Sequence, residues 1–345
     1  NVSVVESGAV PNNPGNSNLK PEKGSELEVG IDASFLNDRV SLELTHFDKR
    51  TKDLILAQPL PPSLGFLTNP QVNIGGVQNT GFEVSVSATP IRSRNLNWDV
   101  IVGGATLHNE LTDLGGVAAF GTLNRFTKGY QLGSFVSKRI KSINEATGVV
   151  TVGDTLEVAG NIFPTFEGTF STTVTLFKQL RLSGQLDTKR DFLVYNNTEF
   201  FRETQVVTSN QRLDTLQMTR LQRLRKYGNP AAGQPAFVQQ NGAATTVAEA
   251  RDGFLQPGDF TRIREVSATW NIPHRYLGML GKVQTASVAF AVQNVKLWKN
   301  KAFTGADPEV ISSGNGSTGA GQFTRDDFLT QAAPRTTVFR LNLTF

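Results

Sequence analysis

Few side chains in this sequence have the types and spacing that chemistry requires. Its 345 residues include no cysteine and only three histidines, His46, His108 and His274. Zinc sites draw on clustered Cys, His and carboxylate ligands, and histidines this far apart offer no such set. No Ser-His-Asp order sits in a nucleophile-elbow sequence. Residues 314–321 (GNGSTGAG) resemble a phosphate loop superficially, but no Lys-Ser/Thr follows and no strand-to-helix context surrounds them. Their turn-forming residues read better as a flexible external loop. The chemistry left is charge on alternate positions: Glu26, Glu28, Glu43, Glu83 and Asp99 sit among apolar neighbours in a period of two. No enzyme activity and no cofactor is expected. The question becomes which elements hold those carboxylates.

The clearest element is the last. In residues 335–345 (RTTVFRLNLTF), Phe339, Leu341, Leu343 and Phe345 share one face, and Arg340, Asn342 and Thr344 the other; Val338 breaks the pattern at its start. A strand that is apolar on one face, polar on the other and ends on an aromatic is written like the closing strand of an outer-membrane barrel, with one face toward lipid and one toward a wet lumen. The last strand of a soluble sandwich is the alternative from this segment alone.

Composition agrees. The 32 glycines, with many Asn and Thr, favour turns and strands over helices. The absence of cysteine mildly favours a fold closed by strand pairing. No run of about 18 apolar residues exists, so no spanning helix is expected. A spanning strand needs only about 9–11 residues, half of them apolar, so a barrel is compatible with the mean hydropathy of −0.22. The net charge of +4 makes no case for nucleic acid. A chain that opens at Asn1 without a signal peptide is expected to be a processed or truncated product.

Period-two reading predicts strands near 25–36, 39–50, 80–89, 95–108, 165–177, 179–191, 259–271, 283–297 and 335–345. Long loops are expected at 51–79, 109–164, 192–258 and 298–334, alternating with tight links such as Asn37-Asp38. Short turns on one side and long loops on the other suit a bacterial outer-membrane barrel, with turns periplasmic and loops extracellular. Nine alternating strands make the first and last run in the same direction, whereas bacterial barrels are antiparallel and even-stranded. The expected fold is therefore all-β: the C-terminal portion of a larger transmembrane antiparallel barrel.

Five segments carry a family resemblance. Residues 16–56 (NSNLKPEKGSELEVGIDASFLNDRVSLELTHFDKRTKDLIL), 79–91 (NTGFEVSVSATPI), 258–273 (GDFTRIREVSATWNIP), 288–310 (VAFAVQNVKLWKNKAFTGADPEV) and 334–345 (PRTTVFRLNLTF) follow in order. They resemble the C-terminal barrel region of TonB-dependent outer-membrane receptors, particularly the SusC/RagA-like branch. The resemblance covers most strands and leaves the two middle loops largely unmatched. It implies a barrel of about 22 strands closed by an N-terminal plug, importing oligosaccharides or peptides with energy from the TonB complex. It also implies a SusD-like lipoprotein lid and insertion by the barrel assembly machinery. Neither the plug nor the TonB-binding segment is present here, so the chain would supply wall, external loops and the C-terminal assembly signal. A siderophore or metal-complex receptor, and a structural or adhesive surface barrel, are the alternatives.

Candidate site residues follow. Phe339, Leu341, Leu343 and Phe345 form the expected assembly signal, read by adding this strand edge-on to the machinery's own sheet. Glu26, Glu28, Glu43, Glu83 and Asp99 are candidates for the lumen face, where they could guide a polar substrate, contact a plug or simply solvate a wet wall. Trp98, Trp270 and Trp298 are expected at membrane interfaces, where an aromatic ring with one polar edge is favoured, and His46 is read as an interface residue. Residues 212–227 (RLDTLQMTRLQRLRKY) have leucines near helical spacing and read as a basic loop helix.

Overall fold

The computed structural model describes residues 14–66, 68–121, 123–143, 150–200, 252–277, 282–309 and 325–345. The basic segment at 212–227 and the glycine-rich run at 314–321 lie outside them.

The strands are β1 Lys23–Phe35, β2 Val40–Lys52, β3 Ile55–Ala57, β4 Gln71–Asn73, β5 Gly76–Arg92, β6 Leu96–Thr106, β7 His108–Asp113, β8 Asn124–Arg125 and β9 Ser134–Ile143. They continue with β10 Val150–Gly160, β11 Phe166–Leu176, β12 Leu180–Arg190, β13 Leu193–Tyr195, β14 Leu255–Pro257, β15 Phe260–Asn271, β16 Thr285–Lys299 and β17 Thr336–Thr344. One ten-stranded antiparallel sheet dominates, in the order β1-β2-β5-β6-β11-β12-β15-β16-β17, with β7 added beside β5. Consecutive wall strands pair because each tight link leaves its neighbour nowhere else to go: Leu36, Asn37 and Asp38 turn β1 into β2, and Phe177 and Lys178 turn β11 into β12, all at positive φ. β1 and β17 lie at the two edges and run in the same direction.

Register carries a two-faced division across this wall. Ile31 pairs with Leu44, Leu44 with Val84, Val86 with Val102, Val102 with Phe170, Phe170 with Leu186, and Val288 with Leu341. Directly opposed residues share a face, so these apolar side chains form one continuous surface. It is exposed: Phe339 retains 69% of its accessible surface, and Phe290, Phe82 and Leu27 are likewise open. On the other face Asp32 pairs with Glu43, Thr45 with Glu83, and Glu167 with Lys189. A sheet that turns its large apolar side chains outward is stable only where that side meets lipid or another apolar surface.

The connections reverse this arrangement. Leu56, Val77, Leu111, Leu114, Phe126 and Leu132 form one buried cluster, and Leu123, Phe135, Ile162, Tyr195, Phe254 and Leu255 another. Short antiparallel pairs, β3 with β4, β8 and β10 with β9, and β13 with β14, satisfy their backbone groups. The stretches expected as loops thus carry their own small sheets and cores. All the long connections leave the same end of the wall strands, and the tight links close the other end.

A candidate passage-lining face and its clamp

Phe339, Leu341 and Leu343 project from β17 on the apolar face, in line with Phe290, Val288 and Ala286 of β16, and Phe345 follows with 74% of its surface exposed. Trp98, Trp270 and Trp298 also lie on the apolar face. Trp270 stands at the tight-link end of β15, opposite Leu180, whereas Trp298 stands near the other end, opposite Thr261. The intervening stretch of β15 covers roughly 25–30 Å along the strand, or about 20 Å of depth at the tilt usual in barrels, against an apolar band of about 25 Å. Trp98 differs from the other two because its indole N–H donates to Thr172 Oγ1 at 2.8 Å, within the sheet. His46 continues the apolar face, its Nδ1 2.9 Å from the Gly81 carbonyl oxygen and its ring 4.7 Å from that of Phe82.

The five predicted acidic residues all fall on the polar face, in different settings. Lys49 Nζ donates to Glu26 at 3.0 Å. Asp99 accepts from Thr89 Oγ1 at 2.8 Å and from Asn97 Nδ2 at 2.5 Å, which makes it part of the strand packing near the tight-link end. Glu28 is exposed opposite Phe47. Glu43 and Glu83 line an open concavity of about 320 Å³, together with Glu167. Gly103 and Ala105 also line it. His108 lies 3.5 Å from Glu110 at the start of β7, and His274 opens a short helix at the opposite end, so the three histidines are dispersed. Among the described residues no group of three or more His, Asp or Glu is disposed to hold a metal ion.

The densest charge cluster was not among the predicted sites. On β15 the register shifts between Ile263 and Glu265, leaving Arg264 as an extra, bulged residue against β12, while β16 opposite carries an extra residue of its own between Gln293 and Lys296. Arg262 Nη2 donates to both carboxylate oxygens of Asp307 at 2.5 Å, and both side chains are almost fully buried. Arg264 reaches Glu309 through two donors at 2.6 and 2.5 Å and Asp187 through Nε at 2.5 Å. Burial would raise the Glu309 pKa, but hydrogen bonding from Arg264 and the positive charges of Arg264, Arg262 and Lys189 hold it below the ordinary range. Asp307 and Glu309 belong to the connection after β16, which therefore folds back over the polar face. Phe303 in the same connection is buried with Phe192, Val194 and Phe260.

A signal for this bulge does exist in the sequence. In FTRIREVSATW the apolar positions change parity, from Ile263 to Val266, across the consecutive charges Arg264 and Glu265. An uninterrupted strand cannot do that without turning a charge toward the apolar side.

Beyond β16 a polar network ties two connections together, the one between β12 and β15 and the one between β16 and β17. Thr304 Oγ1 accepts from Asn196 Nδ2 at 2.9 Å and Gln256 Nε2 at 3.1 Å, and donates to Glu199. The Tyr195 N–H donates to the Arg325 carbonyl and the Tyr195 carbonyl accepts from the Asp327 N–H, making a parallel bridge between Tyr195 and Asp326. Burial raises the Asp327 pKa, against the hydrogen bond it accepts from Thr330.

This combination of an outward apolar face, an inward polar face and long connections at one end defines a section of an outer-membrane β-barrel wall. The chain belongs to the TonB dependent receptor-like, beta-barrel family, whose model matches residues 4–295. It is similar to TonB-dependent receptor P26 of Formosa agariphila, at 26% identity across 99% of this chain and 36% of that protein. It is also similar to TonB-dependent receptor SusC of Bacteroides thetaiotaomicron, at 35% identity over 101 residues, 29% of this chain and 10% of that protein. Among solved structures, the RagAB peptide importer matches in its open-open state with a TM-score of 0.69, over 97% of this chain and 36% of that one, at 18% identity. Its closed-closed state gives 0.68 over 94% and 35%, also at 18% identity. The chain thus spans little more than a third of the length of P26 and of the RagAB chains.

Proposed function

We propose that this chain is wall and surface connections of a SusC/RagA-like importer that moves oligosaccharides or peptides across the outer membrane. The observation that carries this reading is the two-faced wall: lipid-compatible side chains on one face, an open acidic concavity at Glu43 and Glu83 on the other. The similarity to SusC and to the RagAB fold supports the substrate class. Energy would come from the TonB complex acting on parts of the receptor outside this chain, and a SusD-like lipoprotein would cover the long connections. In this reading the tight links face the periplasm and the long connections the exterior. Phe339, Leu341, Leu343 and Phe345 would be read by the assembly machinery, and Trp98, Trp270 and Trp298 would mark membrane interfaces.

The test is uptake by cells lacking the full-length receptor. Loss of uptake of one oligosaccharide or peptide from a panel, reproduced by TonB depletion, is the expected result. Loss confined to a ferric siderophore, or no uptake defect with altered surface adhesion, would overturn the reading.

A further inference from the structure

The cluster on β15 has a geometry that import by itself does not call for. Arg262 and Arg264 stand two residues apart and so share the polar face of β15, where both engage acids on one connection, and the bulge at Arg264 keeps Glu265 on that face as well. The register shift in β16 matches it: Asn294 there takes a positive φ, lies 3.4 Å from Arg262 and donates to the Pro334 carbonyl at 2.9 Å. Two further contacts press the same connection inward. Phe303 is buried against Phe260 of β15, and Lys299 donates to the Gly305 carbonyl. Gly305 has no room for a side chain, because a Cβ there would meet Asp327 Oδ2 at 2.1 Å.

We infer that Arg262 and Arg264 are positioning residues that lock the connection at 300–309 onto the inner face, making it a fixed part of the passage. Opening of the passage on this side then has to occur through the other connections. A buried, doubly bonded ion pair suits a fixed element because separating it strands two charges away from water. A moving lid is drawn instead from segments with few buried contacts. The inference rests on reading the polar face as the passage wall.

The experiment uses the full-length receptor with a nitroxide at Lys301→Cys, an exposed position in this connection, on a background with no other labelled cysteine. The wild-type clamp should give an immobilised spectrum. Glu309→Gln combined with Asp307→Asn should raise the mobile fraction several-fold, as should Arg264→Glu alone, and the exchange Arg264→Glu/Glu309→Arg should restore immobility. An unchanged spectrum in the neutralised variant, with the barrel folded, would overturn the clamp. Should Asp307→Asn prevent folding, Glu309→Gln alone reads the same equilibrium, since its pair is partly exposed. Loss of the folded barrel in that single variant, unrelieved by the exchange, would contradict a local clamp. No substrate is involved, so either result leaves the import reading untouched.

Discussion

The wall and the connections treat the same side chains in opposite ways. In the wall, Leu27, Phe82, Val102, Phe290 and Phe339 are left exposed, while in the connections Leu111, Phe135, Phe254 and Phe303 are buried. One physical effect explains both. Apolar surface leaves water wherever it can: the connections stand in water and must bury it against themselves, whereas the wall is bathed by hydrocarbon and can present it directly. Hydrogen bonds follow the same division. The wall satisfies its backbone in ladders, because an unmet group in hydrocarbon costs several kcal/mol, while the connections use side chains such as Asn196, Gln256 and Thr304 as well.

The strongest way to break this comparison is at the clamp joining the two regions. Asp307→Ala would leave Arg262 buried without its bonded carboxylate, which should cost about 3–5 kcal/mol of docking for this connection. Arg262→Leu/Asp307→Leu should recover much of that loss. Limited proteolysis of the folded receptor reads both, and equal sensitivity of single and double variants would show that the charges are not coupled.

Next comes the wall. Phe170 lies near the centre of β11, so Phe170→Arg should cost about 2–4 kcal/mol and lower the heat-modifiable folded fraction, whereas Ser171→Arg on the polar face should be tolerated. Leu182 also faces the apolar side but sits two residues from the end of β12, so Leu182→Arg should cost less than Phe170→Arg. Equal tolerance at Phe170 and Ser171 would mean that the faces are reversed or that no bilayer surrounds them.

A smaller effect is expected at Thr304. Thr304→Val removes one hydroxyl shared by Asn196, Gln256 and Glu199 and should cost about 1–3 kcal/mol locally. It should speed hydrogen exchange in the connections and leave the wall unchanged. The mildest perturbation is acid. Glu309 has a folded pKa below its ordinary 4.5, so its contribution is present above that value and is lost as pH falls through the folded pKa. Spin-label mobility at Lys301→Cys should therefore rise only below about pH 4.5, and the rise should vanish in Glu309→Gln. A transition near neutrality would assign the titration to another group.

How much was legible in the sequence divides along the same line. Each of the nine alternating segments lies within, or within a residue or two of, a strand of the main sheet, because a long strand buried on neither side in water must alternate to serve lipid and lumen together. The connections escaped that reading. β3, β4, β13 and β14 are three residues each, too short for any period, and the pairing of β9 with β10 is broken by register shifts. The clamp was hidden for a related reason. Arg262 and Asp307 are 45 residues apart, and the parity change between Ile263 and Val266 marks the bulge without saying which segment covers it. Of the predicted acids, Glu43 and Glu83 come together across β2 and β5, while Asp99 belongs to a separate packing site.

The central claim is that one face of this wall meets lipid and the other meets water. Single cysteines placed in turn at residues 168 to 175 of β11, in the full-length receptor in bilayers, would carry a bimane reporter quenched by brominated lipid or by aqueous iodide. Even positions, including Phe170 and Val174, should be quenched by lipid, and odd positions, including Ser171 and Thr173, by iodide, in strict alternation. Iodide quenching at every position, without alternation, would contradict the account.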